Sequence, residues 1–206
     1  MRGIAVYMEG GGHSSGDRSL LRLGMSQFLS SLRDAARRKR LEWKVVPCGS
    51  RDGAHGAFEH ANKKAPETFN VLLVDSEEAV AESHSPRAHL QQRDGWKLTD
   101  ASEDSIHLMI QVMEAWIVAD PDAAAKYYGQ HFLIGTLPRS VNLEGVEKEQ
   151  IYGALNQATA KTLKRKYQKI RDAAALLGRI DPDIVRRRCP SCERLFATLT
   201  QRIDAA

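Results

Sequence analysis

The chain has 206 residues, enough for one ordinary domain with an elaboration, and 42% of them are hydrophobic and 27% charged. These proportions fit a globular protein and exclude collagen-like, disordered and disulfide-rich classes. No apolar stretch approaches the roughly 20 residues of a membrane-spanning helix, and the apolar run 4–8 is too short for a signal peptide. Three cysteines suit a reducing compartment, so we expect a cytoplasmic protein that does not bind membranes.

The charge is unevenly distributed along the chain. The net charge is +4, from 30 Lys and Arg against 26 Asp and Glu. Residues 147–206 carry 13 basic and 7 acidic side chains, a net +6, which leaves 17 basic and 19 acidic, a net −2, for the first 146. This basic tail indicates either a surface that binds polyanions such as nucleic acid, or a solvated helix surface.

The first 120 residues alternate short apolar runs with longer amphipathic ones. The pattern predicts strands at 4–8, 43–47, 70–74 and 106–113, and helices at 20–32, 52–64 and 114–128, the last interrupted at Pro121. Residues 76–105 are polar and weakly periodic, which predicts a long loop or insertion. The alternation of strands and helices predicts an α/β fold with a mostly parallel sheet flanked by helices.

Beyond residue 135 the pattern becomes helical, with helices predicted at 150–170, 171–177 and 184–203. We therefore divide the chain into an α/β domain, 1–135, and an all-helical extension, 136–206, packed on it. The extension contains the pair Cys189 and Cys192, but no second Cys or Cys/His pair accompanies it to complete a zinc site. We interpret this motif as the start of a helix.

Acidic residues follow three of the predicted strands: Glu9 the first, Asp75 with Glu77 the third, and Glu114 the strand at 106–113. In open α/β sheets, ligands bind at the carboxyl ends of the strands. Carboxylates gathered there repel one another unless a cation lies among them, and their oxygens suit Mg²⁺ or Mn²⁺. The acids therefore predict a metal site, and the alternative is that they cap helices or are solvated.

A run of three glycines, 10–12, follows Glu9 and allows a close approach of the backbone to a ligand. It is not a phosphate-binding motif of a known type, because Asp17 stands where a P-loop needs Lys, and Ser15 where a dinucleotide motif needs its third glycine. His13 lies close in sequence to Glu9, where it would reach a phosphate or a water, or serve no special role.

Basic residues offer two candidate phosphate contacts. Arg51 follows the second strand, near the same edge of the sheet. The tail offers a strip of cations, and if residues 150–170 form one helix, Lys161, Arg165 and Lys169 share a face. Such a strip would track a nucleic-acid backbone without reading its sequence. The candidate phosphate-binding residues are Arg51, Lys161, Lys164, Arg165 and Lys169.

The order of these motifs resembles a bacterial family of small TOPRIM-like proteins, domain of unknown function 4276, related to RloB-like proteins. The motifs are Met8-Glu9-Gly10-Gly11, Gly49-Ser50-Arg51, Val74-Asp75-Ser76-Glu77 and Met113-Glu114-Ala115-Trp116, and the likeness extends to residues 158–162 and 189–196. The resemblance implies a catalytic glutamate at Glu9 and an acidic pair at Asp75 and Glu77, with Glu77 where TOPRIM folds have Asp. It also implies an ABC- or OLD-type ATPase partner in anti-phage defence.

We therefore hypothesise that the chain is a metal-dependent phosphodiesterase. In this hypothesis it is an endonuclease that cleaves RNA, with tRNA among the substrates, or DNA. Glu9, Asp75 and Glu77 would be catalytic and, with Glu114, would hold Mg²⁺ or Mn²⁺. The rival hypotheses are a non-catalytic subunit that binds or regulates a partner ATPase, and a phosphatase or nucleotidyl enzyme acting on small phosphorylated molecules. The sequence does not choose between RNA and DNA, and it leaves open whether the chain forms a homo-oligomer.

Overall fold

A computed structural model describes residues 1–12 and 14–206, so His13 lies outside the described residues. Within that part of the chain there are four β-strands and ten α-helices. The strands are β1 (Gly3–Met8), β2 (Glu42–Pro47), β3 (Thr68–Asp75) and β4 (Ile106–Met109). The helices are α1 (Ser15–Phe28), α2 (Ser30–Arg38), α3 (Arg51–Lys64), α4 (Pro86–Asp94), α5 (Glu114–Ala119), α6 (Pro121–Tyr128), α7 (Lys148–Thr159), α8 (Lys169–Leu177), α9 (Pro182–Arg188) and α10 (Pro190–Asp204). None of the helices so described has the length and apolar character needed to cross a membrane.

The strands form a single sheet in the order β2-β1-β3-β4, and every neighbouring pair is parallel. Met8 at the end of β1 pairs with Pro47 at the end of β2 and with Leu73 near the end of β3. Asp75 pairs with Met109 at the end of β4. The predicted α/β fold with a parallel sheet is thus confirmed and is consistent with a TOPRIM-like fold, and all four carboxyl ends lie at one edge.

The sheet separates two hydrophobic cores. Successive side chains of a strand point to opposite faces, and in β3 Val71 and Leu73 join one core while Leu72 and Val74 join the other. All four are fully buried. This burial on both faces explains why residues 71–74 of β3 are an uninterrupted apolar run in the sequence.

The two cores draw on different helices. The larger core contains Phe28 of α1, whose ring stacks on Trp116 of α5 at 5.4 Å and meets Phe196 of α10 edge-on at 5.7 Å. The smaller core contains Phe58 of α3 and Leu90 of α4. Helices α3 and α4 therefore cover one face of the sheet, and the tail helices contribute to the core on the other.

A glycine contact joins the tail directly to the α/β part of the chain. Gly24 of α1 packs on α8 so closely that a Cβ atom on it would lie 2.1 Å from the main-chain oxygen of Ala174. Leu155 and Leu199, from α7 and α10, lie in the same core as Phe28. Residues on both sides of the predicted boundary at 135 therefore share one core, and the boundary itself stays a prediction.

The polar segment 76–105 was predicted to be a loop, and this prediction is wrong in part because it contains α4. The Ser85 side chain caps the start of this helix, and Gly95 ends it in a left-handed conformation. Of the nine helical residues, His89 and Leu90 are buried. So small a buried face leaves little helical periodicity in the sequence.

The strand predicted at 106–113 is shorter than expected, because β4 ends at Met109. Its partner β3 ends at the paired residue, Asp75. The chain after β3 then turns, and the N–H groups of Ser76 and Glu77 donate to the main-chain oxygens of Met109 and Gln111 at 3.0 and 2.8 Å. Residues 110–113 therefore support the turn after β3.

The helix predicted at 150–170 is confirmed over 150–159 and wrong beyond, because α7 ends at Thr159 and α8 begins at Lys169. The hydroxyl of Thr162 donates to the main-chain oxygen of Thr159 at 3.0 Å, and the Thr159 hydroxyl accepts from the Tyr167 N–H at 2.9 Å. Such side-chain bonds compete with the helical ladder. Lys161 and Arg165 consequently do not share a helix face with Lys169.

The helix predicted at 184–203 is divided at Cys189. Pro190 is the first residue of α10, a position where its missing N–H costs nothing. The two thiols of Cys189 and Cys192 are buried and free. The interpretation of the Cys-Pro-Ser-Cys motif as a helix start is therefore confirmed.

Candidate metal centre

Three carboxylates meet at the carboxyl edge of the sheet, from Glu9, Asp75 and Glu77. One oxygen atom from each lies within 4.8 Å of the corresponding atoms of the other two. Asp75 is the last residue of β3 and is 2% exposed, and Glu9 follows β1, the neighbouring strand. The structure thus brings together the three acids that were predicted to converge, while their catalytic and metal-binding roles stay predictions.

Glu77 reaches the cluster by an unexpected route. Residues two positions apart lie on one side of a continuing strand, but β3 ends at Asp75, and Glu77 has a φ of +67°. A glutamate rarely adopts this left-handed conformation, because it costs on the order of 1–3 kcal/mol. The residues that do adopt it are concentrated at functional sites. The hydrogen bond from its N–H to Gln111 holds the turn in place.

The loop that carries Glu9 is fixed by glycines. Gly10 and Gly49 form an isolated antiparallel bridge, with N–H to oxygen distances of 2.9 and 3.0 Å in the two directions. Both have positive φ, +105° and +78°, and a Cβ on Gly49 would lie 2.8 Å from the main-chain oxygen of Gly12. The bridge ties the loops after β1 and β2 together and so fixes where Glu9 leaves the sheet.

Arg51, the first residue of α3, is partly buried against acidic partners. Its guanidinium donates to Glu9 Oε2 at 3.0 Å and to both carboxylate oxygens of Asp94 at 3.0 and 2.7 Å. It also donates to the main-chain oxygen of Asp75. The observed contacts are those of a group that orients Glu9, and the predicted contact of Arg51 with phosphate stays a prediction.

Two lysines from the tail reach the other acids. Lys148 Nζ lies 2.9 Å from Glu77 Oε2, and Lys169 Nζ lies 3.8 Å from Asp75 Oδ2. The remaining candidate phosphate-binding residues of the tail, Lys161, Lys164 and Arg165, are exposed in the non-helical segment between α7 and α8. Among the tail cations predicted to bind phosphate, Lys169 is thus the one that the structure places at the acids.

The electrostatics of the cluster favour an additional cation. Burial, reinforced by the charges of Glu9 and Glu114, raises the pKa of Asp75 well above its ordinary value despite Lys169. Burial also raises the pKa of Glu9, although Arg51 opposes the effect. At Glu77, by contrast, the hydrogen bond and charge of Lys148 outweigh burial and lower the pKa. Asp75 and Glu9 therefore resist ionising together unless positive charge is added.

Glu114 lies beside the cluster, not in it. It is fully buried as the first residue of α5, and its two oxygens accept from the hydroxyls of Tyr167 at 2.8 Å and Tyr152 at 3.3 Å. Tyr152 in turn accepts from Lys169 at 2.9 Å. Burial and the charge of Glu114 raise the pKa of Tyr152 to about 12, which keeps its hydroxyl a donor. Glu114 as a metal ligand stays a prediction.

The donor set fits Mg²⁺ or Mn²⁺. All three acids offer carboxylate oxygens, the ligands that these ions prefer. Asp75 Oδ1 accepts from the Met113 N–H at 2.8 Å, while its Oδ2 faces Lys169 across a gap longer than a hydrogen bond. An ion held by Glu9, Asp75 and Glu77 would supply the positive charge that the raised pKa values of Glu9 and Asp75 call for.

Several residues of the site were not predicted from the sequence. Asp94 lies in the segment predicted to be a loop, and Lys148, Tyr152 and Tyr167 lie far along the chain from the acids that they contact. No local pattern marks them. The basic excess of the tail was the one available signal, but it was interpreted as a polyanion-binding or a solvated surface and not as a source of partners for the acids.

The model of one protein family, described as a domain of unknown function (DUF4276), matches residues 8–200 and therefore nearly the whole chain. No curated protein and no solved structure matches significantly. The match includes the loop that carries Glu9, the acids that end β3 and most of the helical tail. The chain therefore belongs to the DUF4276 family, as its motifs predicted.

Proposed function

We propose that this chain is a phosphodiesterase dependent on Mg²⁺ or Mn²⁺, acting as an endonuclease on RNA, with tRNA among the substrates, or on DNA. The observation that carries the proposal is the convergence of Glu9, Asp75 and Glu77 within 4.8 Å. We call the cluster of Glu9, Asp75 and Glu77 the acidic pocket. Isolated acids at strand ends are common, but three that converge beside cationic neighbours are suited to holding an ion and a phosphate together.

Each side chain has a role that follows from its contacts. Glu9, Asp75 and Glu77 would hold the ion, which when bound polarises a phosphate and lowers the pKa of a water. Glu9, which Arg51 orients, has two alternative roles: it holds the ion as a carboxylate, or it stays outside the coordination shell and, because burial raises its pKa, carries a proton to the leaving oxygen. Lys169, beside Asp75, would offset charge on the phosphate.

The cellular setting of the proposal follows from the family resemblance. We place the enzyme in the cytoplasm, in an anti-phage defence system, with an ABC- or OLD-type ATPase as its partner. Support from the chain itself is limited to the basic tail, which suits a nucleic-acid substrate. A homo-oligomer is compatible with the same proposal.

The proposal is tested by a cleavage assay with tRNA, plasmid and single-stranded oligonucleotides in the presence of Mg²⁺ or Mn²⁺. We expect Glu9→Gln and Asp75→Asn each to lose on the order of a thousandfold in rate, the scale seen when a charge-stabilising group is removed from an active site. The matched control is Glu67→Gln, an exposed acid that precedes β3 at the opposite edge of the sheet. Equal cleavage by the wild type and both site variants would refute the proposal.

A specific observation supports a second candidate, a non-catalytic subunit that binds or regulates an ATPase. Arg51, Lys148 and Lys169 each approach one of the three acids, so the pocket is partly neutralised without an ion. Titration calorimetry with Mn²⁺ separates the candidates, since the subunit would bind no ion at millimolar concentration.

If the pocket binds Mn²⁺, Lys169 competes with it by charge. We therefore expect Lys169→Met to bind Mn²⁺ several-fold more tightly than the wild type, because a nearby like charge opposes a cation. Lys161→Met, at an exposed position of the tail, serves as the control and should leave the affinity unchanged. Weaker binding by Lys169→Met would instead show that this lysine holds the acids in position.

A further inference from the structure

A second concave site lies on the tail side of the molecule, and we call it the Tyr127 cavity. Its volume is about 490 Å³, within the range of small-molecule sites. Its walls are formed by Ala123, Lys126, Tyr127, Lys164 and Arg179. Three of these five side chains are cationic, and none of the three has a role in the proposed metal centre.

The Tyr127 ring organises the cations of this cavity. Lys164 Nζ lies 4.8 Å from the ring centroid and Arg179 Cζ lies 5.2 Å from it, both within the distance of cation–π attraction. The ring is itself fixed, because its hydroxyl donates to Asp172 Oδ1 at 3.1 Å. Two exposed cations are thereby held at the wall of one cavity by a ring that cannot turn freely.

The positive charge of the cavity is not balanced by its own walls. Asp172, the acid that contacts Tyr127, is fully buried and also accepts from Tyr128 at 3.0 Å and from Arg171 at 2.8 Å. Its charge is therefore already committed to other donors. Cations gathered around a concave surface focus a positive potential, which attracts an anion.

The cavity lies within a short reach of the acidic pocket. Lys164 and Lys169 are five positions apart in the sequence, so the distance between their Cα atoms is at most about 18 Å. Tyr167, between them, donates to Glu114 at 2.8 Å, and Lys169 faces Asp75. A single polynucleotide strand is therefore long enough to span both places, whereas a free mononucleotide is not.

We propose that the Tyr127 cavity binds the backbone of a single-stranded nucleic acid whose scissile phosphate lies at the acidic pocket. The inference rests on the proposed nuclease function and names the form of its substrate. A positively charged concave surface that tracks the backbone is a common means of binding one strand without reading its sequence. A duplex would not enter a cavity of this size.

The test is a binding measurement in EDTA, where no cleavage occurs. Fluorescence anisotropy would compare a labelled single-stranded oligonucleotide on the wild type and on the triple variant Lys126→Ala, Lys164→Ala, Arg179→Ala. We expect at least tenfold weaker binding by the variant. We also expect the slope of log affinity against log salt to fall by about 2, since each lost phosphate contact on a single strand contributes about 0.7.

The matched control removes the same three charges elsewhere, as Arg38→Ala, Lys63→Ala, Lys64→Ala, all exposed on α2 and α3. Thermal denaturation of both triple variants would verify that they fold. An equal loss of affinity in the control, no loss in the cavity variant, or equal affinity for AMP and the oligonucleotide would each overturn the proposal. Tighter binding of a duplex than of a single strand would overturn it as well.

This readout is independent of catalysis. If the wild type binds the strand through the cavity but cleaves nothing with any metal, the nuclease function fails and the cavity stands as a binding site. If cleavage requires Glu9 and Asp75 but the cavity variant binds and cleaves normally, the cavity proposal fails alone.

Discussion

The acidic pocket and the Tyr127 cavity use charge in opposite ways. In the pocket, each carboxylate has a basic side chain near it, and Arg51 is held by Glu9 and Asp94. In the cavity, Lys164 and Arg179 lie against an aromatic ring and remain exposed. The pocket is thus built as a pre-organised ionic network, and the cavity as a surplus of positive charge.

This difference separates two tasks. Groups that do chemistry must be held in position before the substrate arrives, and buried ion pairs with multiple hydrogen bonds do this at a cost in desolvation. Groups that bind a flexible polyanion need positive charge more than a fixed geometry. Solvated cations supply this charge without a large desolvation free energy. Substitutions should therefore change folding stability at the pocket and binding affinity at the cavity.

The largest effect on stability is expected from Arg51→Ala. The substitution leaves Glu9 and Asp94, whose side chains are 16% and 11% exposed, without their shared cation, so we expect a loss of about 3–5 kcal/mol in the free energy of unfolding. Denaturant unfolding would measure it. Arg33→Ala, which breaks a more exposed pair with Asp34, should cost under about 1 kcal/mol, and an equal loss in the two variants would contradict the buried-network interpretation.

A smaller effect is expected from Asp75→Asn in the absence of metal. The pKa of Asp75 is raised in the folded protein by burial and by neighbouring carboxylates, so over the pH range between its ordinary and its raised pKa the folded state holds the extra proton. Stability should then fall as the pH rises through that range. Asp75→Asn removes this contribution, and we expect its melting temperature to exceed that of the wild type by a few degrees at neutral pH in EDTA.

Melting curves from pH 4 to pH 8 would check this prediction, with Glu67→Gln as the control. The variant should show a flatter dependence on pH than the wild type. Addition of Mn²⁺ should stabilise the wild type and leave the variant nearly unaffected, because binding to the folded state alone raises its stability. A variant that melts below the wild type in EDTA at neutral pH would be the opposite result.

The smallest effect on stability is expected at the cavity. Lys164→Ala removes an exposed side chain whose contact is with the Tyr127 ring, so the free energy of unfolding should change by no more than about 0.5 kcal/mol. The same denaturant measurement as for Arg51→Ala gives the direct contrast. A loss comparable to that of Arg51→Ala would show that the cavity cations are structural.

Much of the α/β part of the fold was predictable because its signals are local. The strands β1 and β3 contain the apolar runs 4–8 and 71–74, and each run is followed directly by an acid, Glu9 or Asp75. A parallel sheet places its carboxyl ends at one edge, so the meeting of Glu9 with Asp75 followed from topology alone. The position of Glu77 agreed with the prediction, although a left-handed residue and not a continuing strand produces it.

The tail was less predictable because its structure depends on distant contacts. The charged run around Lys164 has the composition of a helix, yet the Thr159 side chain and the bond from Tyr167 to Glu114 hold it in another conformation. The same bonds direct Lys169 toward Asp75. A pairing such as that of Lys148 with Glu77 joins residues 71 positions apart and leaves no periodic trace in the sequence.

The contact between Gly24 and α8 has a consequence for how mutational data on this chain would be interpreted. A methyl group at residue 24 would act as a wedge, and α8 would have to move outward to admit it. Lys169 is the first residue of α8. A displacement of this helix would therefore also move Lys169 and disturb the ionic network of the acidic pocket. A screen scored by activity alone would then rank Gly24 with the carboxylates, although its part in the molecule is to let two backbones touch.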